Sequence, residues 1–399
     1  MSMSVGIDKI GLYIPQHYVD TEDLANARGV DPAKYLVGIG QEKMAIPLLE
    51  QDIIALAANA AKQILSPEDL EEIDQIIFAT ESSFDFSKAS AIYLHDLLNI
   101  QPYAKSYEIK QACYGMTAGI QSACDYVQLR PQRKVLVVSA DIARYGLNSS
   151  GEVTQGAGAV ALLITANPRI LAIQQESISV TSNQFDFWRP HYSDVALVDG
   201  HYSTQLYQEL YVQVMERLEL TNPTYLQTIK AMVFHLPFTK MGLKALNSYA
   251  QSESTHFDLE KKAALLNQWQ AIYPATTVLN RQVGNLYTGS LYLSLISLLM
   301  FAEELTSGDV IGLFSYGSGA VAELITGIIQ PQYLEMLNTN QIQAHFDRRT
   351  KLTIAEYEAI FNETLASNEE VLNVSDGTPG EGFYLKKIDA HRRYYDYKP

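Results

Sequence analysis

Gly156-Ala-Gly-Ala-Val-Ala-Leu-Leu-Ile-Thr165 returns as Gly317-Ser-Gly-Ala-Val-Ala-Glu-Leu-Ile-Thr326, 161 residues later. Each copy reads as a glycine-rich turn running into an apolar strand. Two fainter echoes keep the same order. Asp74-Gln-Ile-Ile-Phe-Ala-Thr80 matches Lys230-Ala-Met-Val-Phe-His-Leu236. The turn at Cys113, with Thr117 and Gly119, matches Val283-Gly-Asn-Leu-Tyr-Thr-Gly289. Three collinear echoes imply a duplicated α/β unit. Each half then runs strand, helix, strand, turn into helix, strand, glycine turn, strand. Strands alternating with helical patterns predict mainly parallel sheets covered by helices.

Working outward, the first half occupies residues 1–170 and the second 171–399. Within the second, 171–220 is rich in Tyr, Asp and His and reads as an insertion, 221–330 as the core repeat, and 331–399 as a tail. The tail is charged and helical from Lys351 to Ala366, loop-like through Asn368–Gly382, and ends in His-Arg-Arg-Tyr-Tyr-Asp-Tyr.

A chain of 399 residues, 47% hydrophobic and 19% charged, can bury a sizeable core. A net charge of −16 argues against a nucleic-acid face, and makes any anionic ligand depend on a local cluster of Lys or Arg. The N-terminus lacks a basic stretch followed by an apolar run, so no signal peptide is expected. Leu291–Ala302 is too short to span a bilayer and reads as a buried helix. The two cysteines, Cys113 and Cys124, sit roughly 16 Å apart if helical, too far to bridge. Reduced thiols suggest a cytoplasmic protein. Cys124, inside an apolar stripe, reads as core. No spaced His/Cys cluster or Walker loop suggests a metal or nucleotide cofactor.

In open α/β folds the site lies at the C-terminal ends of strands. Glu81 follows Ile76–Ala79, Cys113 follows Ala104–Lys110, and His235 follows Met232–Phe234. Asn285 occupies the turn matching that of Cys113, and Ser318 the second glycine turn. Cys113 also precedes a segment with helix spacing, Gly115–Val127. A helix N-terminus there would favour the thiolate and offer N–H donors to an oxyanion. Thiol, carboxylate, imidazole and amide together form an acyl-transfer and carbanion set. Singly, each has a plainer reading: Cys113 as a small hydrophobe, Glu81 as a cap, His235 as core, Asn285 as a turn residue, Tyr145 as packing. Lys240 and Lys244, at i,i+4 after Pro237, suit a solvated helix face.

Nine ordered motifs carry a resemblance from about residue 5 to 330. They are Val30-Asp-Pro-Ala-Lys-Tyr35 with Gly38-Ile-Gly-Gln41, Ala79-Thr-Glu-Ser-Ser83, Gln111-Ala-Cys-Tyr-Gly115, Ser139-Ala-Asp-Ile-Ala-Arg-Tyr145, Asp186-Phe-Trp-Arg-Pro190, Val198-Asp-Gly200, His235-Leu-Pro-Phe-Thr-Lys-Met-Gly-Leu-Lys-Ala245, Val283-Gly-Asn-Leu-Tyr-Thr288 and Ser315-Tyr-Gly-Ser-Gly319. Together they resemble hydroxymethylglutaryl-CoA synthases of the shorter bacterial type. The resemblance implies a thiolase-like duplicated fold, two pseudo-symmetric halves in αβαβα layers. It implies condensation of acetyl-CoA with acetoacetyl-CoA and water, in the mevalonate route to isoprenoids. Cys113 would carry the acetyl group, Glu81 would remove its methyl proton, and His235 would polarise the acetoacetyl group. Asp31, Thr154, Ser203, Lys244, Asn285 and Ser318, with Lys240, would contact acyl-CoA, and Tyr145 would line the acyl pocket. Asp186 and Asp199 would support the base and the pocket. The partners implied are CoA thioesters and a second copy of the chain as a homodimer. One departure stands out: Met116 occupies a position where relatives more often carry a small residue, and it would either crowd the acyl pocket or fill core.

Three alternatives share parts of this pattern. A β-branching synthase acting on a carrier-protein-bound β-ketoacyl chain would keep Glu81, Cys113 and His235. Ketoacyl-ACP and chalcone-type synthases use Cys, His and Asn without a carboxylate at this strand end, so Glu81 argues against them. A silent thiolase-fold scaffold would have no need of all three groups.

Overall fold

The first half is threaded by β1 (Val5–Tyr13), α1 (Ile53–Lys62), β2 (Ile73–Ala79), α2 (Ser90–Leu97), β3 (Lys105–Ile109), α3 (Gly115–Leu129), β4 (Lys134–Ala143) and β5 (Gly156–Ala166). The second continues with β6 (Leu171–Ile173), β7 (Ile178–Thr181), α4 (Gly200–Thr221), β8 (Ile229–Phe234), α5 (Met241–Gln251), α6 (Leu259–Ile272), α7 (Ser290–Phe301), β9 (Val310–Gly317) and β10 (Val321–Ile329). The structure is a computed structural model describing residues 3–193, 195–253, 257–365, 371–375 and 380–399. Among the described residues ten strands are hydrogen-bonded in the order β8-β9-β10-β6-β1-β5-β4-β2-β3, with β7 also on β10. The halves join where β1 pairs antiparallel with β6.

Period-two alternation divides each half into layers. Ile77 and Ala79 of β2, Val135 and Val137 of β4, and Val160, Leu162 and Ile164 of β5 face a central core shared with α3 and α7. Ile76, Phe78, Leu136, Val138, Ala161 and Leu163 face the other way, onto α1 and α2. In the second half Ala231, Val233, Ile311 and Leu313 point to the same central core. Met232, Phe234, Phe314 and Tyr316 point outward beneath α4 and α5. The result is five layers, αβαβα, with α3 and α7 in the middle. Each buried Leu, Ile or Phe contributes about 2 kcal/mol relative to exposure. Met116 is fully buried in the central core, where it fills space between α3 and its neighbours. Cys124 is half-buried against that core.

The sheet is less parallel than its alternating pattern suggests. β2 is parallel to β3 and β4, and β8 to β9, whereas β4·β5, β1·β5, β9·β10 and β6·β10 are antiparallel. The glycine-bearing connections 144–155 and 318–320 carry no crossover helix, and a direct return forces antiparallel pairing. Among the described residues the second half has no counterpart of β3. Ahead of Asn285 the chain forms a tight 3₁₀ turn, Tyr273–Thr277, and a short helix, Val278–Val283. Ser294 and Ser297 of α7 donate to the carbonyls of Thr276 and Ala275, satisfying that turn from inside the core. The expected insertion 171–220 is partly sheet, since β6 and β7 both pair with β10, and α4 covers the outer face.

Beyond β10 the tail is helical at Tyr333–Leu337, Thr339–Asp347 and Ile354–Asn362 and ends in a hairpin, Gly382–Asp389 with Arg392–Lys398. Parts of the expected 368–382 loop and of the helix expected to reach Ala366 lie outside the described residues. The hairpin returns to α1. Asp52, which caps α1 by accepting from Ile54 and Ala55 N–H, also accepts from Arg393 at 2.7 Å and Tyr395 at 2.7 Å.

Candidate active site

Cys113 lies between β3 and the start of α3, after Ala112, whose φ of +44° places the chain in the left-handed region. That conformation costs about 1 kcal/mol or more for a residue with a Cβ, and the packed turn imposes it. The Cys113 thiol donates to Glu81 Oε1 at 2.8 Å, across 32 residues of sequence. Glu81 follows β2, so adjacent parallel strands deliver the thiol and the carboxylate side by side.

The electrostatics of this pair differ from the sequence expectation. Burial and the neighbouring Glu81 carboxylate hold the Cys113 thiol well above the ordinary thiol range. Burial, then the charge of Asp141, push Glu81 up to about 8. The helix N-terminus behind Cys113 therefore does not yield a resting thiolate, because burial, and then the contacting Glu81, outweigh it. Asp141 itself is raised to about 6 by burial, although it accepts from Thr80 Oγ, Glu81 N, Ser82 Oγ, Thr288 N and Thr288 Oγ. It locks the Glu81 turn to the Tyr287–Gly289 turn of the second half.

His235 follows β8. Its N–H donates to Phe314 O at 2.9 Å, and its carbonyl accepts from Tyr207 OH at 2.7 Å. Its ring is buried, Nδ1 has no hydrogen-bond partner among the described residues, and burial lowers its pKa to about 3. At neutral pH the imidazole is uncharged. Asn285 donates from Nδ2 to Tyr145 OH at 3.0 Å, while its Oδ1 accepts from Tyr287 N and Ser290 Oγ. Burial and the neighbouring Cys113 raise Tyr145, so its hydroxyl remains protonated.

A cavity of about 220 Å³ is lined by Cys113, Tyr145, Thr154, Ser203, His235, Asn285 and Ser318 together. Seven residues singled out in the sequence thus converge on one space, drawn from both halves. Asp186 is buried beneath it, accepting from Ser203 Oγ, Tyr316 OH and Gly319 N at 3.1, 2.6 and 2.9 Å. Lys244 is exposed with its ammonium over the Phe238 ring at 5.4 Å, and Phe238 lines the cavity. Lys240 precedes α5 and touches the Ile39 segment through its main chain. Asp31 stands exposed before the Lys34–Ile39 turn and accepts from Ala33 N. Neither Asp31 nor Lys240 lines the cavity. Asp199 is exposed and caps α4 through Tyr202 N, so its carboxylate supports a helix rather than Glu81.

Two residues of the site were not singled out in the sequence. Asp141 is one, and its signal was a lone carboxylate within the apolar run of β4. Arg189 is the other. Its Nη2 donates to the Glu81 carbonyl at 2.5 Å, and its charge opposes the upward push on Glu81.

Family models described as hydroxymethylglutaryl-coenzyme A synthase N terminal and C terminal match residues 1–169 and 254–398. The chain belongs to the hydroxymethylglutaryl-CoA synthase family. It is 50% identical over 363 residues to hydroxymethylglutaryl-CoA synthase of Enterococcus faecalis, covering 91% of this chain and 93% of that protein. It is 30% identical over 379 residues to the polyketide biosynthesis 3-hydroxy-3-methylglutaryl-ACP synthase PksG of Bacillus subtilis, covering 90% and 88%. A solved HMG-CoA synthase complexed with CoA superposes with a TM-score of 0.93 at 41% identity, covering 99% of this chain and all of that one. MvaS in complex with 3-hydroxy-3-methylglutaryl coenzyme A gives 0.89 at 33%, with full coverage of both chains. The thiolase-like family fold accords with the five layers and the mixed sheet described above.

Proposed function

We propose that this synthase condenses acetyl-CoA with acetoacetyl-CoA and water to give 3-hydroxy-3-methylglutaryl-CoA and CoA, through an acetyl-Cys113 intermediate. The observation that carries this is the 2.8 Å contact between Cys113 Sγ and Glu81, beside the space that His235 and Asn285 share.

Because the thiol is held protonated, attack on acetyl-CoA is coupled to loss of its proton. Glu81 is the acceptor in contact, and the proton then passes to the departing CoA sulfur. The acetyl thioester has acidified methyl hydrogens, and a carboxylate raised to about 8 is a far stronger base than an ordinary Glu. Proton removal gives an enolate whose carbon attacks the acetoacetyl ketone, and Glu81 returns the proton to the new alkoxide. Main-chain N–H groups of Cys113 and Ser318 are candidate oxyanion donors; that of Gly319 is held by Asp186. Such a donor is worth about 3–4 kcal/mol of barrier. His235, neutral and with an unpartnered Nδ1, orients the acetoacetyl carbonyls by hydrogen bonding rather than by charge. Tyr145 and Asn285 wall the acyl pocket, and Thr154, Ser203 and Ser318 contact the thioester arm. Lys244 supplies a cation for CoA phosphates beside Phe238, with Lys240 and Asp31 further out. Asp186 supports the pocket floor, and Asp199 acts through α4.

The mevalonate route, a cytoplasmic location and a homodimer follow from this reading as further proposals. Among the described residues no helix is long and apolar enough to cross a membrane. CoA is preferred over a carrier protein as the acceptor's handle because the 50% identical relative is named for CoA, whereas PksG, named for ACP, is at 30%. Steady-state assays with acetoacetyl-CoA and with an acetoacetyl-carrier protein test this. Turnover on the carrier protein alone would overturn the CoA reading.

A further inference from the structure

Glu81 faces a second cavity, of about 560 Å³, on the side away from the thioester pocket. Phe187, Tyr287 and Ser318 line both spaces, so the wall between them is one side chain thick. The two differ in charge. Among the described residues no Lys or Arg lines the smaller cavity, whereas Lys110, Arg144 and Arg189 line the larger. Arg144 is committed to the Phe361 carbonyl and ring, and Lys110 is exposed at the rim. Arg189 touches the catalytic turn, through the Glu81 carbonyl at 2.5 Å. It stands just after the two-residue strand Phe187–Trp188, which pairs with Leu197–Val198.

The reaction assigned above creates a charge that its other groups cannot accommodate. In the last step, water adds to the carbonyl of the hydroxymethylglutaryl thioester on Cys113. The C–S bond breaks, sulfur leaves with one proton of the water as the thiol, and the acyl group departs as a carboxylic acid. That acid gives its proton through Glu81 to solvent and becomes a carboxylate. It is then an anion beside Glu81, Asp141 and Asp186, three buried or half-buried carboxyl groups. Such an anion needs a cation within a few ångströms.

We propose that the Arg189 side of this wall is the subsite for the carboxylate formed on hydrolysis, with Arg189 its principal ligand and Lys110 a secondary one, and that water for the step enters there. This rests on the proposed synthase activity. Cys113 lines the uncharged cavity and Glu81 the cationic one, so the acyl carbon sits at the wall between them, with the acid end leaving toward the cationic side.

The test compares Arg189→Gln, Arg189→Lys and Lys110→Gln with the parent enzyme. Both residues are exposed, and the acetyl labelling of Cys113 reports on the fold around Glu81. In Arg189→Gln, radiolabelled acetyl-CoA should still label Cys113. After acetoacetyl-CoA is added, intact-mass spectrometry should show the hydroxymethylglutaryl-CoA adduct accumulating on the protein, with turnover down about a hundredfold. Inhibition by added HMG-CoA should weaken at least tenfold while the acetyl-CoA KM moves by less than about threefold. Arg189→Lys should recover most of the loss, and Lys110→Gln should show a smaller version of it. Turnover and HMG-CoA inhibition in Arg189→Gln within twofold of the parent would overturn the proposal. So would a fall in acetylation equal to the fall in turnover, which would mean that Arg189 only props the Glu81 turn. A parent enzyme that forms no HMG-CoA from the two thioesters would instead sink the underlying activity.

Discussion

If Glu81 is the base and its carboxyl titrates at about 8, proton removal from the acetyl-enzyme must rise steeply through neutral pH. The active form is the carboxylate, so its fraction fixes the profile: about one hundredth at pH 6, about one tenth at pH 7, half at pH 8 and about nine tenths at pH 9. Acetylation removes the Cys113 thiol donor, one of the two influences that lower Glu81, so the inflection in the acetyl-enzyme should sit at or above the resting value. The assay is solvent-deuterium exchange into the methyl group of acetyl-Cys113, read by mass spectrometry of the quenched peptide. The rate should climb about tenfold from pH 6 to 7, about fivefold from 7 to 8, and less than about twofold from 8 to 9. A level profile, or an inflection near the ordinary 4.5, would refute the buried-base argument. Exchange in Glu81→Gln as fast as in the parent would refute the residue. A stability effect accompanies it. Folded Glu81 keeps its proton to about 8 and the unfolded chain releases it near 4.5, so between those values the native state binds more protons and stability falls as pH rises. At about 1.36 kcal/mol per pH unit the loss is at most about 5 kcal/mol. Glu81→Gln should therefore melt higher than the parent at pH 8 while matching it more closely at pH 5.

Cys113→Ser should take no acetyl label and lose at least about a thousandfold in turnover; substantial residual activity would contradict the nucleophile. Glu81→Ala should acetylate more slowly yet completely, and then fail to condense, as chase with acetoacetyl-CoA would reveal. Because His235 titrates at about 3, the parent rate should show no break near 6.5. His235→Ala should raise the acetoacetyl-CoA KM more than the acetyl-CoA KM, and an equal effect on both would remove His235 from the acceptor's side. At Gly284, with φ of +93°, an added Cβ would stand 2.0 Å from Gln155 O. Gly284→Ala should lower stability by about 2 kcal/mol or more in thermal unfolding, and an unchanged Tm would mean that the close approach of the halves is soft.

The duplicated α/β plan was legible because apolar strands of period two repeat in the same order at similar offsets, a signal that survives drift in individual side chains. That Cys113, Glu81 and His235 come close together was legible because each follows a strand. What escaped was decided by contacts distant in sequence. Ala275, Thr276 and Thr277 carry nothing local that marks them as a turn rather than a strand. Serines of α7 hold the carbonyls of Ala275 and Thr276 in place. Asp141 was hidden inside β4, where only its five donors, most of them from other segments, explain a carboxyl in an apolar strand. Asp199 was drawn toward the base by its motif, whereas its local setting, an acid just before a helix, is the ordinary signature of a cap. The thiolate expectation failed for a similar reason: a helix N-terminus can be read from sequence, but the burial that opposes it, and then Glu81, come from other segments.

The duplication also explains why the site lies where it does. Each half alone supplies an incomplete set: thiol and carboxylate from the first, imidazole and amide from the second. The groups meet because equivalent turns, at Cys113 and at Asn285, lead into α3 and α7, and these two helices share the central layer. Bonds across the pseudo-dyad fix the register. Asn285 N donates to Thr154 O at 3.0 Å, Asn285 Nδ2 to Tyr145 OH at 3.0 Å, and Thr117 Oγ to Ser315 Oγ at 2.8 Å. Gly284 lets the second-half turn approach the backbone of Gln155 and Gly156 closely enough for these to form. The contacts that join the halves are thus the ones that set the distance between base, nucleophile and imidazole. A substitution that loosens the junction should therefore cost activity before it costs folding, since near-attack geometry tolerates less displacement than burial does.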